Sequence, residues 1–202
     1  MSNYDYVLAF DPSGSFHEGK GITGWCFYDC KAKKIKRAGV INSKDFTTAP
    51  AYWNAHTDLI YELHQSFKPR FLVLAEDYLL YADKAEAQIN SRMETCRLLG
   101  ILEHSCWDWG IPFHMQTASQ VVNRWNNQVL EFKKILYFES NRPHLTVTRK
   151  PVSRHTLDAI RHAVHYATFG IGKEKKNGRT NKQSPASRTD LSGIETDLPE
   201  EE

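Results

Sequence analysis

"VLAFDPSGS" (residues 7–15) runs four apolar residues straight into Asp11, and a Pro-Ser-Gly turn then carries the chain away. A near-continuous apolar run of this length is the pattern of a strand covered on both faces. "FLVLAE" (71–76) repeats it and ends in Glu76. Sites in open α/β sheets form outside the carboxyl ends of the strands, so two neighbouring strands of this kind would put both acids into one crevice. Carboxylates brought together repel, and one stays protonated unless a cation joins them. Hard divalent cations such as Mg2+ take oxygen ligands of this type.

The remaining pattern builds outward from these two strands. "GITGWCFYD" (21–29) and "KIKRAGVIN" (34–42), separated by the polar "CKAKK", predict a hairpin continuing the first strand. "AYWNAHTDLIYELHQSF" (51–67) carries Trp53, Leu59, Ile60, Leu63 and Phe67 at helical spacing, with Pro69 closing it. A long helix is expected from Asp83 to Trp109, stopped by Gly110. "IPFHMQ" (111–116) reads as a short strand, and Thr117 with Gln120 as a capping box opening further helix. More helix is expected over 127–139, then a basic connector or small hairpin over 140–153. Ser153 caps a last helix, "RHTLDAIRHAVHYATFG", which ends at Gly170. Strand-helix-strand units beside a hairpin indicate an α/β fold with one mixed sheet. Residues 1–170 form the domain, and 171–202, almost without large apolar residues, are expected to be a disordered charged tail.

Composition bounds the function classes. At 202 residues the chain suits one domain, and a net charge of +2 says little about partners. Cys26, Cys30, Cys96 and Cys106 form no CxxC pair, and "MSNYDYVLAF" has no basic start or long apolar stretch. Reduced thiols in a cytoplasmic protein are therefore expected. A zinc site on Cys26 and Cys30 lacks a second ligand pair, which favours burial. No run reaches the ~18 apolar residues of a membrane span.

The last helix adds to the acids. His155 and Asp158 are three apart and project from one face, with His162 one turn on. Asp158 borders an apolar stripe of Leu157, Ile160, Ala163 and Val164, so it is either a contact with the helix dipole or a third metal ligand. His162 and His165 face the same way and read as packing groups or as supports behind the ligands.

"VLAFDPSGS…KGITGWCFYD", "FLVLAEDYLLY…KAEAQINSRMETCRLLGILEHS", "IPFHMQTASQVV" and "SRHTLDAIRHAVHYA" resemble, in order and over residues 5–169, the RuvC-type Holliday junction resolvases of the RNase H-like superfamily. The most specific pieces are the Asp-Pro turn followed by Thr-Gly-Trp, the strand ending in glutamate before a long helix, and His-x-x-Asp-Ala in the last helix. The resemblance implies an RNase H-like fold with a mixed five-stranded sheet. It also implies a metal-dependent endonuclease that resolves Holliday junctions and related branched DNA by paired phosphodiester hydrolysis. Asp11, Glu76, His155 and Asp158 would be the catalytic residues and bind two Mg2+ or Mn2+ ions. In such a site one ion activates water and the other stabilises the leaving oxygen. The family also implies a homodimer through the helix at 83–109, matching the near-twofold symmetry of a four-way junction.

Departures from the family pattern mark where substrate contacts shift. The turn "DPSGSFHEGKGITG" is longer, bringing His17 and Lys20 into a surface loop or toward the substrate. An aromatic follows the family's glutamate; here Tyr78 and Tyr81 compete for that place. Lys133 and Lys134 are candidates near the scissile phosphate, and Arg142, Arg149, Lys150 and Arg154 for phosphates beside the metals. The plain alternative for each is a solvated face. Three rival functions stay open: an RNase H-like nuclease on RNA–DNA hybrid, a non-catalytic DNA-binding module, and an actin- or sugar-kinase-like nucleotide domain. The module is weakened because all four ligand positions hold competent residues, and the kinase-like fold needs a second domain. The residues do not choose between a cellular and a viral setting.

Overall fold

The computed structural model describes residues 4–68, 70–78, 93–140, 142–146 and 148–170. Five strands, β1 (Tyr6–Asp11), β2 (Ile22–Asp29), β3 (Lys34–Asn42), β4 (Phe71–Glu76) and β5 (Phe113–Gln116), make one sheet in the order β3-β2-β1-β4-β5. β1 pairs antiparallel with β2 and parallel with β4, β2 pairs antiparallel with β3, and β4 pairs parallel with β5. The helices are α1 (Ala49–Phe67), α2 (Glu94–Asp108), the single turn α3 (Ala118–Val121), α4 (Asn127–Phe132) and α5 (Arg154–Phe169). The expected α/β fold with a mixed sheet is what the chain forms. No described helix is long and apolar enough to cross a membrane.

The apolar strands are buried on both faces because two separate cores cover them. Successive strand side chains point to opposite faces. Leu8 and Phe10 of β1, with Phe71 and Val73 of β4, join Ile60, Leu63, Leu98 and Leu102 of α1 and α2. Val7 and Ala9, with Leu72 and Leu74, join Leu157, Ile160, Ala163 and Val164 of α5. Burying a Leu, Ile or Val side chain stabilises by about 2 kcal/mol, so α5 owes its place to this stripe more than to helix propensity.

The same alternation decides the site. Asp11 continues the series Val7–Ala9–Asp11, and Glu76 continues Leu72–Leu74–Glu76, so both carboxylates emerge on the α5 face. The β1–β4 register ends at Phe10 opposite Ala75, which makes Asp11 and Glu76 the next pair along.

Several sequence expectations are corrected. Helix does not continue over 127–139: it stops at Phe132, and β6 (Leu136–Glu139) pairs antiparallel with β7 (Arg142–Leu145). Leu136 and Leu145 sink into the α5-side core, so the short apolar run is better buried as a hairpin. Thr117 makes no side-chain cap and α3 lasts one turn. Of the helix expected over 83–109, the described part is α2, which begins only at Glu94 because Met93 before it is left-handed (φ 53°), a conformation an α-helix does not contain. Residues 79–92, with Tyr81, lie outside the described residues, as do Pro69 and the 171–202 tail. The four cysteines are free thiols and Cys26 is buried, as read from the sequence.

Candidate active site

α5 begins where Ser153 leaves extended backbone and its hydroxyl accepts the Thr156 N–H at 3.0 Å. The Thr156 hydroxyl donates to the Gly39 carbonyl of β3 at 2.8 Å, fixing the helix start against the sheet. Between them lies Gly24 of β2, directly beside Asp11 in the register. A Cβ on Gly24 would stand 2.0 Å from the His155 carbonyl carbon and 2.2 Å from its oxygen. Only a residue without a side chain lets α5 approach this closely.

That approach delivers His155 and Asp158 to the rim carrying Asp11 and Glu76. His155 Nδ1–H donates to Asp11 Oδ2 at 2.7 Å. His162 is buried, and its Nε2–H donates to Glu76 Oε2 at 3.0 Å while Nδ1 lies 2.8 Å from Gln116 Oε1. Arg161 donates to Asp158 Oδ1 at 2.5 Å and is itself anchored on the Trp125 carbonyl and on Asn127. Each carboxylate is thus turned to a nitrogen donor from α5.

Glu76 and Asp158 both lie within electrostatic reach of Asp11. Burial lifts the Asp11 carboxyl above the usual carboxylate range, and the charges of Glu76 and Asp158 add to the lift despite the His155 hydrogen bond. That hydrogen bond, with the charges of Asp11 and Asp158, raises the His155 imidazole against its own burial and the nearby Arg154. Among the described residues, no three His, Cys, Asp or Glu side chains close tightly enough on one point to ligate an ion as they stand. The donor types nonetheless suit a hard divalent cation: Asp11 with two further carboxylates in electrostatic reach of it, plus one imidazole, with repulsion that a dication relieves.

The turn after Asp11 is held from α1. Ser13 N–H donates to Thr23 Oγ1 at 3.0 Å, and the Tyr52 hydroxyl donates to the Ser13 carbonyl at 2.5 Å. His56 Nδ1–H donates to the Tyr52 carbonyl and its Nε2 accepts from Thr23, each at 2.9 Å. Burial pushes His56 down to about 4, so the neutral ring that this bonding needs is the stable form. Gly14 is pressed against the first turn of α2, where a Cβ would lie 2.1 Å from the Glu94 carbonyl oxygen. His17 hydrogen-bonds the buried Glu94 carboxylate, so the long turn is pinned at this point rather than reaching outward.

The other candidates are spread. Tyr78 is half-buried two residues past Glu76. Arg154 starts α5 beside His155, whereas Arg142 is an exposed residue of β7. Arg149 is an exposed left-handed residue (φ 56°) in the β7–α5 connector. Lys133, Lys134 and Lys150 line a groove whose walls include none of the four acidic-site residues. His165 accepts from Trp125 Nε1–H at 3.2 Å, a packing role. The sequence reading missed Gly24, Gln116, Arg161 and the Thr23–Tyr52–His56 network. The Thr-Gly of "GITGW" was the one signal pointing to any of them.

No known family profile and no curated protein sequence matches the chain. Among solved structures it is similar to Thermus thermophilus RuvC in complex with a Holliday junction substrate: 15% identity, TM-score 0.59, covering 81% of this chain and 93% of that one. A second Thermus thermophilus RuvC structure is similar at 14% identity and TM-score 0.52, covering 81% and 94%. These likenesses establish the fold.

Proposed function

We propose that the chain is a metal-dependent, structure-specific endonuclease that resolves Holliday junctions and related branched DNA. One observation carries the reading: Asp11 of β1 is hydrogen-bonded to His155 of α5, 144 residues away, and Glu76 of β4 and Asp158 of α5 lie in electrostatic reach of it, at one rim of an RuvC-like sheet. The similarity to a RuvC bound to a Holliday junction supports the substrate class.

Asp11, Glu76 and Asp158 would supply oxygens, and His155 a nitrogen, to two Mg2+ or Mn2+ ions. Such a pair activates water and stabilises the leaving oxygen of an in-line displacement. The chain's own residues do the positioning. His155 orients Asp11, and His162, locked by Gln116, orients Glu76. Arg161 holds Asp158 through one oxygen. Ser13, tied to Thr23 and Tyr52, sets the turn that follows Asp11. Arg154, at the start of α5, supplies positive charge for a substrate phosphate. Symmetric nicking of a four-way junction requires a second copy, and the 83–109 region is the proposed interface.

The test is cleavage of four-way, flap and RNA–DNA hybrid substrates by the purified protein, in Mg2+ and with chelator. Asp11→Asn and Asp158→Asn are each expected to abolish cutting while junction binding persists. Normal cutting by either variant refutes the assignment. Cleavage of hybrid alone transfers the site to an RNase H-like activity.

A further inference from the structure

Beside the acidic site, the first turn of α5 ends an open groove of about 610 Å³, with Ser153 and Thr156 in its wall. Ile35, Leu145 and Val152 contribute apolar lining. Lys33 and Lys34 flank it from the β2–β3 turn and the start of β3, Lys133 and Lys134 from the α4–β6 turn, and Lys150 from the β7–α5 connector. All five are exposed, and among the described residues none of them makes an ion pair. Among the described residues, no Asp or Glu lines the groove. Lys36 and Arg37 also line it but are engaged by Asp29 at 3.9 Å and Glu62 at 2.6 Å. Lys33 (φ 52°) and Lys134 (φ 56°) are left-handed, at turn positions where glycine is the unstrained choice. Cations stand there instead.

Like charges gathered without counter-charges repel one another, and a polyanion relieves that repulsion. We infer that this groove holds the phosphodiester backbone of a nucleic-acid arm running to the acidic site, an inference that rests on the nuclease reading. From Lys34 to Val40 the β3 edge is roughly 20 Å long at about 3.3 Å per residue. At ~3.4 Å of helix axis per nucleotide, that length faces about six base pairs of duplex DNA. Lysine is a point charge on a flexible stem, lacking arginine's two-pronged geometry, and suits a grip that ignores sequence. Lys133 and Lys134 therefore act on an arm rather than at the bond to be cut.

The test measures how binding of a four-way junction by the Asp11→Asn protein, without divalent metal, depends on salt. Anisotropy titrations between about 50 and 200 mM salt give the slope of log affinity against log salt. Combining Lys33→Gln, Lys34→Gln, Lys133→Gln and Lys150→Gln is expected to reduce that slope by about 3 to 4, at roughly 0.9 per phosphate contact. If the quadruple variant melts early, Lys34→Glu and Lys150→Glu singly are expected each to reduce the slope by about 1. An unchanged slope in a folded variant overturns the inference. So does polyglutamate that binds the parent as tightly as DNA of matched charge, which would make the groove a seat for acidic peptide. The two proposals fail separately. A reduced slope in a protein whose Asp11-containing parent cuts no branched DNA keeps the groove and removes the nuclease; normal cutting with an unchanged slope does the reverse.

Discussion

Replacing Gly24 with alanine tests how the fold builds the site. The new Cβ would meet the His155 carbonyl carbon at 2.0 Å, where ordinary contact begins at 3.4 Å. The three nearest atoms, His155 C and O and Thr156 N, are all backbone, so no side chain can swing away, and the start of α5 must retreat by roughly 1.4 Å, the difference between those distances. The His155–Asp11 hydrogen bond, now 2.7 Å, does not survive that movement. Overpacking of this kind costs about 1–3 kcal/mol, and the lost hydrogen bond brings the total to about 2–4 kcal/mol. A misplacement of about 1 Å at a catalytic group lowers rate on the order of 100-fold. Urea unfolding reads the first number and junction cleavage at saturating Mg2+ the second. Gly100→Ala is the control: among the described residues nothing lies within 4 Å of its Cβ, it sits inside α2, and alanine there is expected to stabilise by up to about 1 kcal/mol. A Gly24→Ala protein that melts and cuts like the parent would falsify the claim that close approach of α5 assembles the site.

Other outcomes follow from the same contacts. His56 is held near 4 when folded against 6.5 when free, so the unfolded chain binds the extra proton between those values. Its contribution is complete above pH 6.5 and is lost as pH falls toward 4, at most about 3 kcal/mol. Urea midpoints from pH 7 to 4 should drop less steeply in His56→Gln than in the parent; parallel curves would contradict the assignment. Glu94→Gln leaves the His17 contact without its charge, with an expected loss of about 1–3 kcal/mol and faster proteolysis within residues 15–20. Proteolysis at the parent's rate would show that Glu94 does not hold the loop. Mg2+ or Mn2+ at about 100 times its dissociation constant should stabilise the parent by about 2.7 kcal/mol, raising the melting temperature by roughly 5–10 °C, and should not shift Asp11→Asn. Equal shifts in both proteins would move the metal elsewhere.

The parts with a local cause were legible in the order of residues alone. Two uninterrupted apolar runs required strands covered on both faces, and the strand period then sent Asp11 and Glu76 to one side of the sheet. Ser153 and the stripe from Leu157 to Val164 fixed the helix carrying His155 and Asp158. The run 127–139 misled because its apolar residues, with Ile135 to Phe138 consecutive, form a short run that periodicity cannot assign to helix or strand, and pairing of 136–139 with 142–145 chose the strand. Which donor meets which acid depends on the packed fold. Asp11 and His155 are 144 residues apart, and Glu76 and His162 are 86 apart. No periodicity encodes such pairs; they follow from the β1–β4 register and from the gap that Gly24 leaves for α5. The lysine groove belongs to the same class, since segments near residues 33, 134 and 150 become neighbours only after β3, the β6–β7 hairpin and α5 pack together.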